Sequence, residues 1–142
     1  MIFLDTDHLS VVTDPRQALR PTLIDRLQAS GDAVAIPIAT VEEQLRGWLA
    51  QIHRIRDLYK QITPYRRLAK LIDFLRDWSI VEWDAPSADA FRSLRAARVR
   101  IGTQDLEIAA IAIAHDALLL SANLRDFKQV PGLRVEDWPH GW

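Results

Sequence analysis

The chain opens on an apolar run that stops at a carboxylate, Met1-Ile2-Phe3-Leu4-Asp5-Thr6-Asp7. A short apolar run bounded by polar residues predicts a buried strand. A strand ending in Asp sets that Asp at its carboxyl edge, and ligands of open α/β sheets bind along that edge. A second stretch, Gln104-Asp105-Leu106-Glu107-Ile108-Ala109-Ala110-Ile111-Ala112, offers another carboxylate at the start of a buried helix. Whether these two acids meet decides what the chain can do.

The intervening sequence alternates strand and helix patterns. After the strand Ile2–Leu4, Asp7–Val12 is a short turn or helix broken by Asp14-Pro15. Pro21–Ala29 is an amphipathic helix with proline in its first turn, and Gly31-Asp32 is turn chemistry before a second buried strand, Ala33–Ile36. From Thr40 to about Gln61, apolar residues recur at helical spacing (Val41, Leu45, Trp48, Leu49, Ile52, Ile55) until Thr63-Pro64 interrupts them. Tyr65–Trp78 continues as a further helix through Leu68, Leu71, Ile72 and Leu75, so residues from about 40 to 77 read as a long, protruding helical hairpin.

Ser79–Val81 is a short strand, and Ser87–Val99 a helix opened after Pro86. Gln104–His115 is apolar almost all round, which places it deep in the core. Leu118–Leu120 is a strand ending at Ser121, Asn123–Phe127 a short turn, and Leu133–Val135 a last strand. Strands alternating with helices argue an α/β fold, with a central, mostly parallel sheet flanked by helices on both faces.

A chain of 142 residues suits one domain with one core, and 49% apolar and 26% charged residues are ordinary for a soluble protein. No run of ~18 apolar residues is present to cross a membrane, and the start lacks the basic segment and cleavage site of a signal peptide. With no cysteine there is no disulfide framework and no thiolate metal site. A cytoplasmic location is the expectation. The net charge of −1 does not advertise nucleic-acid binding, so the distribution of charge matters more than its sum.

Four acids stand where a parallel sheet could gather them. Asp5 ends the first strand, Glu43 opens the helix after the second, Asp105 opens the buried helix, and Asp126 follows the strand ending at Ser121. Several carboxylates in one pocket repel each other and raise each other's pKa. A hard divalent cation such as Mg²⁺ or Mn²⁺ takes oxygen ligands, relieves that penalty and binds phosphate oxygens. It also lowers the pKa of a bound water and stabilises charge on a phosphodiester. Each acid also has a plain structural reading. Asp5 is a possible cap, Asp105 a first-turn acid complementing the helix dipole, and Asp126 a surface-turn residue. Asn123 fits an Asx turn or an extra oxygen ligand. Glu107 reads as exposed. The apolar stripe puts Glu43 on the far side of its helix and Glu42 near the flank, and periodicity alone leaves open which of the two faces the site.

These residues together resemble the PIN-domain ribonucleases, and in particular the VapC-type toxins of toxin–antitoxin pairs. The opening Ile2-Phe3-Leu4-Asp5-Thr6 is similar to the family's first motif. Thr40-Val41-Glu42-Glu43-Gln44-Leu45-Arg46-Gly47 resembles the second, a Thr, two residues, an acid and a Gly four residues on. Gln44 stands where the family often has Leu, and the spacing to Gly47 selects Glu43 as the acid. Asp105 with Ile108-Ala109-Ala110 resembles the third motif, and Ser121-Ala122-Asn123-Leu124-Arg125-Asp126-Phe127 the fourth. The tail Val130-Pro131-Gly132-Leu133-Arg134-Val135-Glu136-Asp137-Trp138 is also similar to these toxins, so the resemblance runs from Ile2 to Trp138.

The resemblance implies a single PIN domain over residues 1–142 and a Mg²⁺- or Mn²⁺-dependent endoribonuclease. Asp5, Glu43, Asp105 and Asp126 would hold the metal, with Thr6, Ser121 and Asn123 supporting them. A metal-generated hydroxide is expected to attack the phosphate, since no histidine is placed as a base and His8 reads as structural. The resemblance further implies homodimerisation and a cognate antitoxin whose carboxyl-terminal segment crosses the active-site groove, with the helical hairpin as docking wall.

Arg46, Arg54, Arg56, Arg66, Arg67 and Lys70 lie on the hairpin, while Arg92, Arg95, Arg98 and Arg100 lead into the loop before Asp105. A charged helix face is usually a solvated face. Arg98 and Arg100, with Arg125 beside Asp126, are better placed to meet RNA phosphates near a metal. Five tryptophans (Trp48, Trp78, Trp83, Trp138, Trp142) fit packing or a hydrophobic partner surface. Two other functions compete: a catalytically silent PIN-like module that binds antitoxin or nucleic acid, and a metal-dependent hydrolase of small phosphate esters.

Overall fold

A computed structural model describes residues 1–139 of the chain. Its elements run β1 (Ile2–Leu4), α1 (Thr6–Thr13), α2 (Arg20–Ser30), β2 (Val34–Pro37), α3 (Ile38–Arg54), α4 (Ile62–Leu75), β3 (Ser79–Val81), α5 (Ala85–Ala96), α6 (Thr103–Ala114), β4 (Leu118–Leu120), α7 (Leu124–Phe127) and β5 (Arg134–Glu136). The five strands form one sheet in the order β3-β2-β1-β4-β5, and every pairing is parallel.

That order has a functional consequence. From β1 the chain builds outward through β2 to β3, then returns to place β4 and β5 on the other side of β1. The reversal lies between β1 and β4, and a crevice opens beyond the carboxyl ends of strands at such a switch point. Asp5 and Ser121, each immediately after its strand, flank it.

Side chains alternate across the short strands. Phe3 and Leu119 face one layer, packing with Ile108, Ile111 and Ala112 of α6 and with Leu94 of α5. Ile2, Leu4 and Leu120 face the other, packing with Leu9 and Val12 of α1, Leu23 and Leu27 of α2, and Trp138. Helices therefore cover both faces. Residues 108 to 112 of α6 are fully buried, as an all-round apolar helix requires.

The hairpin of α3 and α4 is present, with its break displaced from the expected position. The first helix ends at Arg54 rather than near Gln61, because Asp57 Oδ1 accepts hydrogen bonds from the amides of Tyr59 (2.8 Å) and Lys60 (3.3 Å) and turns the chain. Thr63-Pro64 falls inside the first turn of α4, where a missing N–H costs nothing. At the hairpin's tip Leu58 and Tyr59 are largely exposed.

The tryptophans take separate roles. Trp78 stacks on Phe74, Trp83 meets Phe91 edge-on, and Trp138 is buried with the Arg26 guanidinium 4.2 Å over its ring. Trp48 is half-buried on α3, and Trp142 lies outside the described residues.

Candidate metal centre

Asp5 is fixed by two elements at once. It caps α1, its Oδ1 accepting from the Thr6 amide at 2.8 Å, and its Oδ2 accepts from Ser121 Oγ at 2.6 Å. Both groups are buried, Asp5 to 4% exposure and Ser121 completely. The Asp5 amide in turn donates to the Leu120 carbonyl, extending the β1–β4 pairing one residue past the strands.

Glu43 reaches the same place from α3. Thr40, fully buried, donates its hydroxyl to the Leu4 carbonyl at 3.0 Å and pins the start of α3 to the end of β1. Glu43 follows one helical turn later, above the same point. Asp105 arrives from the first turn of α6. One carboxylate oxygen from each of Asp5, Glu43 and Asp105 lies within 4.8 Å of the other two.

Asp126 stands beside this trio through Asn123, whose Nδ2 donates to Asp105 Oδ2 at 3.2 Å and to Asp126 Oδ2 at 3.1 Å. The Asn123 amide donates to Ser121 Oγ, so the β4–α7 turn is tied to Asp5 as well. Glu42 turns elsewhere, to Arg46 and to Gln104 Nε2. Glu107 is half-buried rather than exposed, and its carboxyl is pushed up by burial and by Glu42. Arg98, Arg100 and Arg125 are all solvent-exposed.

The cluster is electrostatically unfavourable as a set of bare acids. Burial pushes the Asp5 carboxyl up to about 6, and repulsion from Asp7 and Asp105 adds to it against the hydrogen bonds from Ser121 and Thr6. Glu43 is raised, chiefly by burial and then by Asp5 and Asp7. Asp105 is raised by burial, then by Glu43 and Asp126. The Thr6 hydroxyl faces Glu43 and pulls it down against burial, yet neither Thr6 Oγ1 nor the buried Glu43 Oε2 has a hydrogen bond of good geometry. A buried carboxylate oxygen without a partner is costly. An all-oxygen donor set of this kind fits a hard divalent cation, which would relieve both the repulsion and the unpaired oxygen.

One participant escaped the sequence reading. Asp7 closes the pocket from the α1 side, its Oδ2 accepting from the Ala122 amide at 3.0 Å and lying 3.4 Å from Ser121 Oγ. Its Oδ1 pairs with His8 Nδ1 at 2.5 Å. His8 is fully buried, and its Nε2 accepts from the Trp138 amide at 3.2 Å, which leaves Nδ1 to carry the proton given to Asp7. His8 is structural, as expected, but it links the carboxyl-terminal segment to the pocket wall. An acid two residues after a strand-end Asp, in the first turn of a helix, was the available signal for Asp7.

The sequence pattern described as the PIN domain matches residues 2–133. Over 83 residues the chain is 32% identical to the tRNA(fMet)-specific endonuclease VapC of Salmonella typhimurium, covering 56% of this chain and 63% of that one. Over 79 residues it is 35% identical to ribonuclease VapC2 of Haemophilus influenzae, covering 53% and 60%. The match thus spans less than two thirds of either relative. Among solved structures, VapBC2 from Rickettsia felis bound to a promoter DNA fragment superposes with a TM-score of 0.76 at 25% identity, covering 97% of this chain and 99% of the other. DNA-bound VapBC from Salmonella typhimurium gives 0.75 at 25% identity, covering 96% and 97%. The matched pattern takes in all four acids, the strands β1 to β4 and the switch point between them, and the chain belongs to the PIN-domain family.

Proposed function

We propose that the chain is a divalent-metal-dependent endoribonuclease, the toxin of a toxin–antitoxin pair. The observation that carries this reading is the convergence of Asp5, Glu43 and Asp105 within 4.8 Å at the sheet's switch point. Its likeness to relatives named as VapC ribonucleases supports RNA as the substrate. Likeness to VapBC complexes supports an antitoxin partner.

In this reading Asp5, Glu43 and Asp105 hold Mg²⁺ or Mn²⁺, with Asp126 adding charge through Asn123. When bound, such an ion activates water and stabilises charge on the scissile phosphate. The chain's own residues set the geometry. Ser121 and the Thr6 amide fix Asp5 in one orientation. Asn123 bridges Asp105 and Asp126 through its one amide nitrogen. Arg98, Arg100 and Arg125 position the RNA backbone by its phosphates. No side-chain base is needed: both His8 nitrogens are already engaged, with Asp7 and with the Trp138 amide. The reading also takes residues 1–142 as a single PIN domain that forms a homodimer and works in the cytoplasm. No helix among the described residues is long and apolar enough to cross a membrane.

Purified protein incubated with total RNA tests this directly. Cleavage is expected with Mg²⁺ or Mn²⁺, with none in EDTA and none for Asp5→Ala or Asp105→Ala. If both variants cut as well as the parent, the nuclease reading is lost. A silent binding module would retain RNA or antitoxin without cutting, and an esterase of small phosphates would turn over mononucleotides.

A further inference from the structure

A groove of about 600 Å³ runs between α1, α3 and α4. Its wall carries Arg16, Arg66, Arg67 and Lys70 against a single carboxylate, Asp14. Asp14 is engaged by Arg16 at 3.5 Å and faces Arg67, which together hold its carboxyl below the ordinary range after the dominant effect of the Arg16 amide. Arg66, Arg67 and Lys70 are exposed, and Arg66 and Lys70 stand one turn apart on α4. Trp48 and Phe74, both half-buried, supply ring surface in the same groove.

None of Asp5, Glu43, Asp105 and Asp126 lines the groove, though Gln44, the residue after Glu43, does. Gln44 and Ser10 line it, with Gln44 Nε2 donating to Ser10 Oγ at 3.3 Å. Gln44 directly follows Glu43, and Ser10 lies on the helix that Asp5 caps. The groove runs along the hairpin, and Arg54 and Arg56 lie outside its lining.

We propose that this groove binds single-stranded RNA, the substrate class of the proposed nuclease. Arg66, Arg67 and Lys70 meet successive phosphates, and Trp48 offers a face on which a base stacks. This rests on the nuclease reading and deepens it. Four cations against one carboxylate suit a polyanion, and cations combined with aromatic faces are what single strands bind. An acidic peptide shares the charge but has no bases to stack on Trp48, and its binding is the alternative that the test separates. The hairpin cations, read from sequence as an ordinary solvated face, thereby join Arg98, Arg100 and Arg125 as phosphate contacts.

The test is binding of a fluorescein-labelled single-stranded oligoribonucleotide of mixed sequence to the full chain in EDTA, followed from about 50 to 200 mM salt. Arg66→Glu/Lys70→Glu is expected to weaken binding by about tenfold or more and to reduce the salt slope by about 1.4, that is about 0.7 for each lost phosphate contact. Arg66→Gln/Lys70→Gln loses the same slope with a smaller drop in affinity. Arg54→Glu changes neither. Unchanged affinity and slope in both double variants overturns the proposal. So does labelled polyglutamate that depends on these residues while RNA does not, which would make the groove a peptide site. A parent protein that neither binds nor cuts RNA sinks the nuclease reading itself, a distinguishable failure.

Discussion

The two walls of the acid cluster are built on opposite plans. The strand wall of Asp5, Asp7 and Ser121 is closely tied: both Asp5 oxygens accept hydrogen bonds, Asp7 grips the Ala122 amide, and His8 braces Asp7 against Trp138. The helix wall of Glu43 and Asp105 is half-exposed; Asp105 Oδ2 accepts from Asn123, and Glu43 Oε2 has no hydrogen bond of good geometry. The strand wall is a fixed frame. The helix wall is held by fewer hydrogen bonds. Rigid support on one side and loosely held ligand atoms on the other is how a site is preorganised for a cation.

The sharpest way to break this contrast is to remove a charge from the helix wall. Asp105→Asn is expected to abolish RNA cleavage to background while leaving the metal-free fold intact or more stable, since one repelling charge is gone. A metal-free melting temperature that falls by several degrees would mean that Asp105 serves the fold instead.

The next largest effect falls on the frame. His8→Gln keeps an acceptor for the Trp138 amide but takes the donor from Asp7. A loss of about 10–100-fold in cleavage is expected, as for other residues that orient a metal ligand's surroundings. His8→Asn keeps a donor near Asp7 and is expected to recover most of that activity, while costing roughly 1–3 kcal/mol of stability through the unsatisfied Trp138 amide. Equal activity in the two variants would show that the brace does not reach the site.

A third test uses pH. The folded Asp5 carboxyl sits at about 6 against an ordinary 3.8, so the fold favours its protonated form. The metal-free protein therefore gains stability as pH falls from above 6 toward 4, by roughly 2–3 kcal/mol from Asp5 alone. Glu43 and Asp105 are raised in the same direction. Thermal melts of metal-free protein should rise from about pH 7.5 to 5, and Asp5→Asn should flatten the rise. A profile that falls over that range would mean the pocket is not desolvated. The smallest effect belongs to Glu42→Gln, expected to leave cleavage unchanged because Glu42 serves only Arg46 and Gln104.

The walls were also unequally legible in the sequence. Asp5, Asp105, Asn123 and Asp126 could be read from strand ends and helix starts, because parallel-sheet topology sends those positions to one edge. Glu43 could not be separated from Glu42 by periodicity, since its placement depends on Thr40 bonding a carbonyl 36 residues away. Asp7 and His8 gain their meaning from Ala122 and Trp138, contacts that no local pattern encodes. The hairpin break was misplaced for a local reason: Pro64 was weighted as a breaker, while the Asp57 turn ends the register. The groove cations were legible as charge but not as a lining, because only the packing of α1 against the hairpin makes a surface of them.

Glu43 and Asp105 of the helix wall, set against the fixed strand wall, are the proposed holders of a divalent cation. Calorimetric titration of Mn²⁺ into the metal-free protein at about pH 7.5 tests this most directly. The account predicts saturable binding that disappears in Asp105→Asn and weakens as the pH is lowered through about 6, the value to which Asp5 is raised. A protein that shows no saturable binding, yet cuts RNA in EDTA as fast as in Mn²⁺, would contradict it.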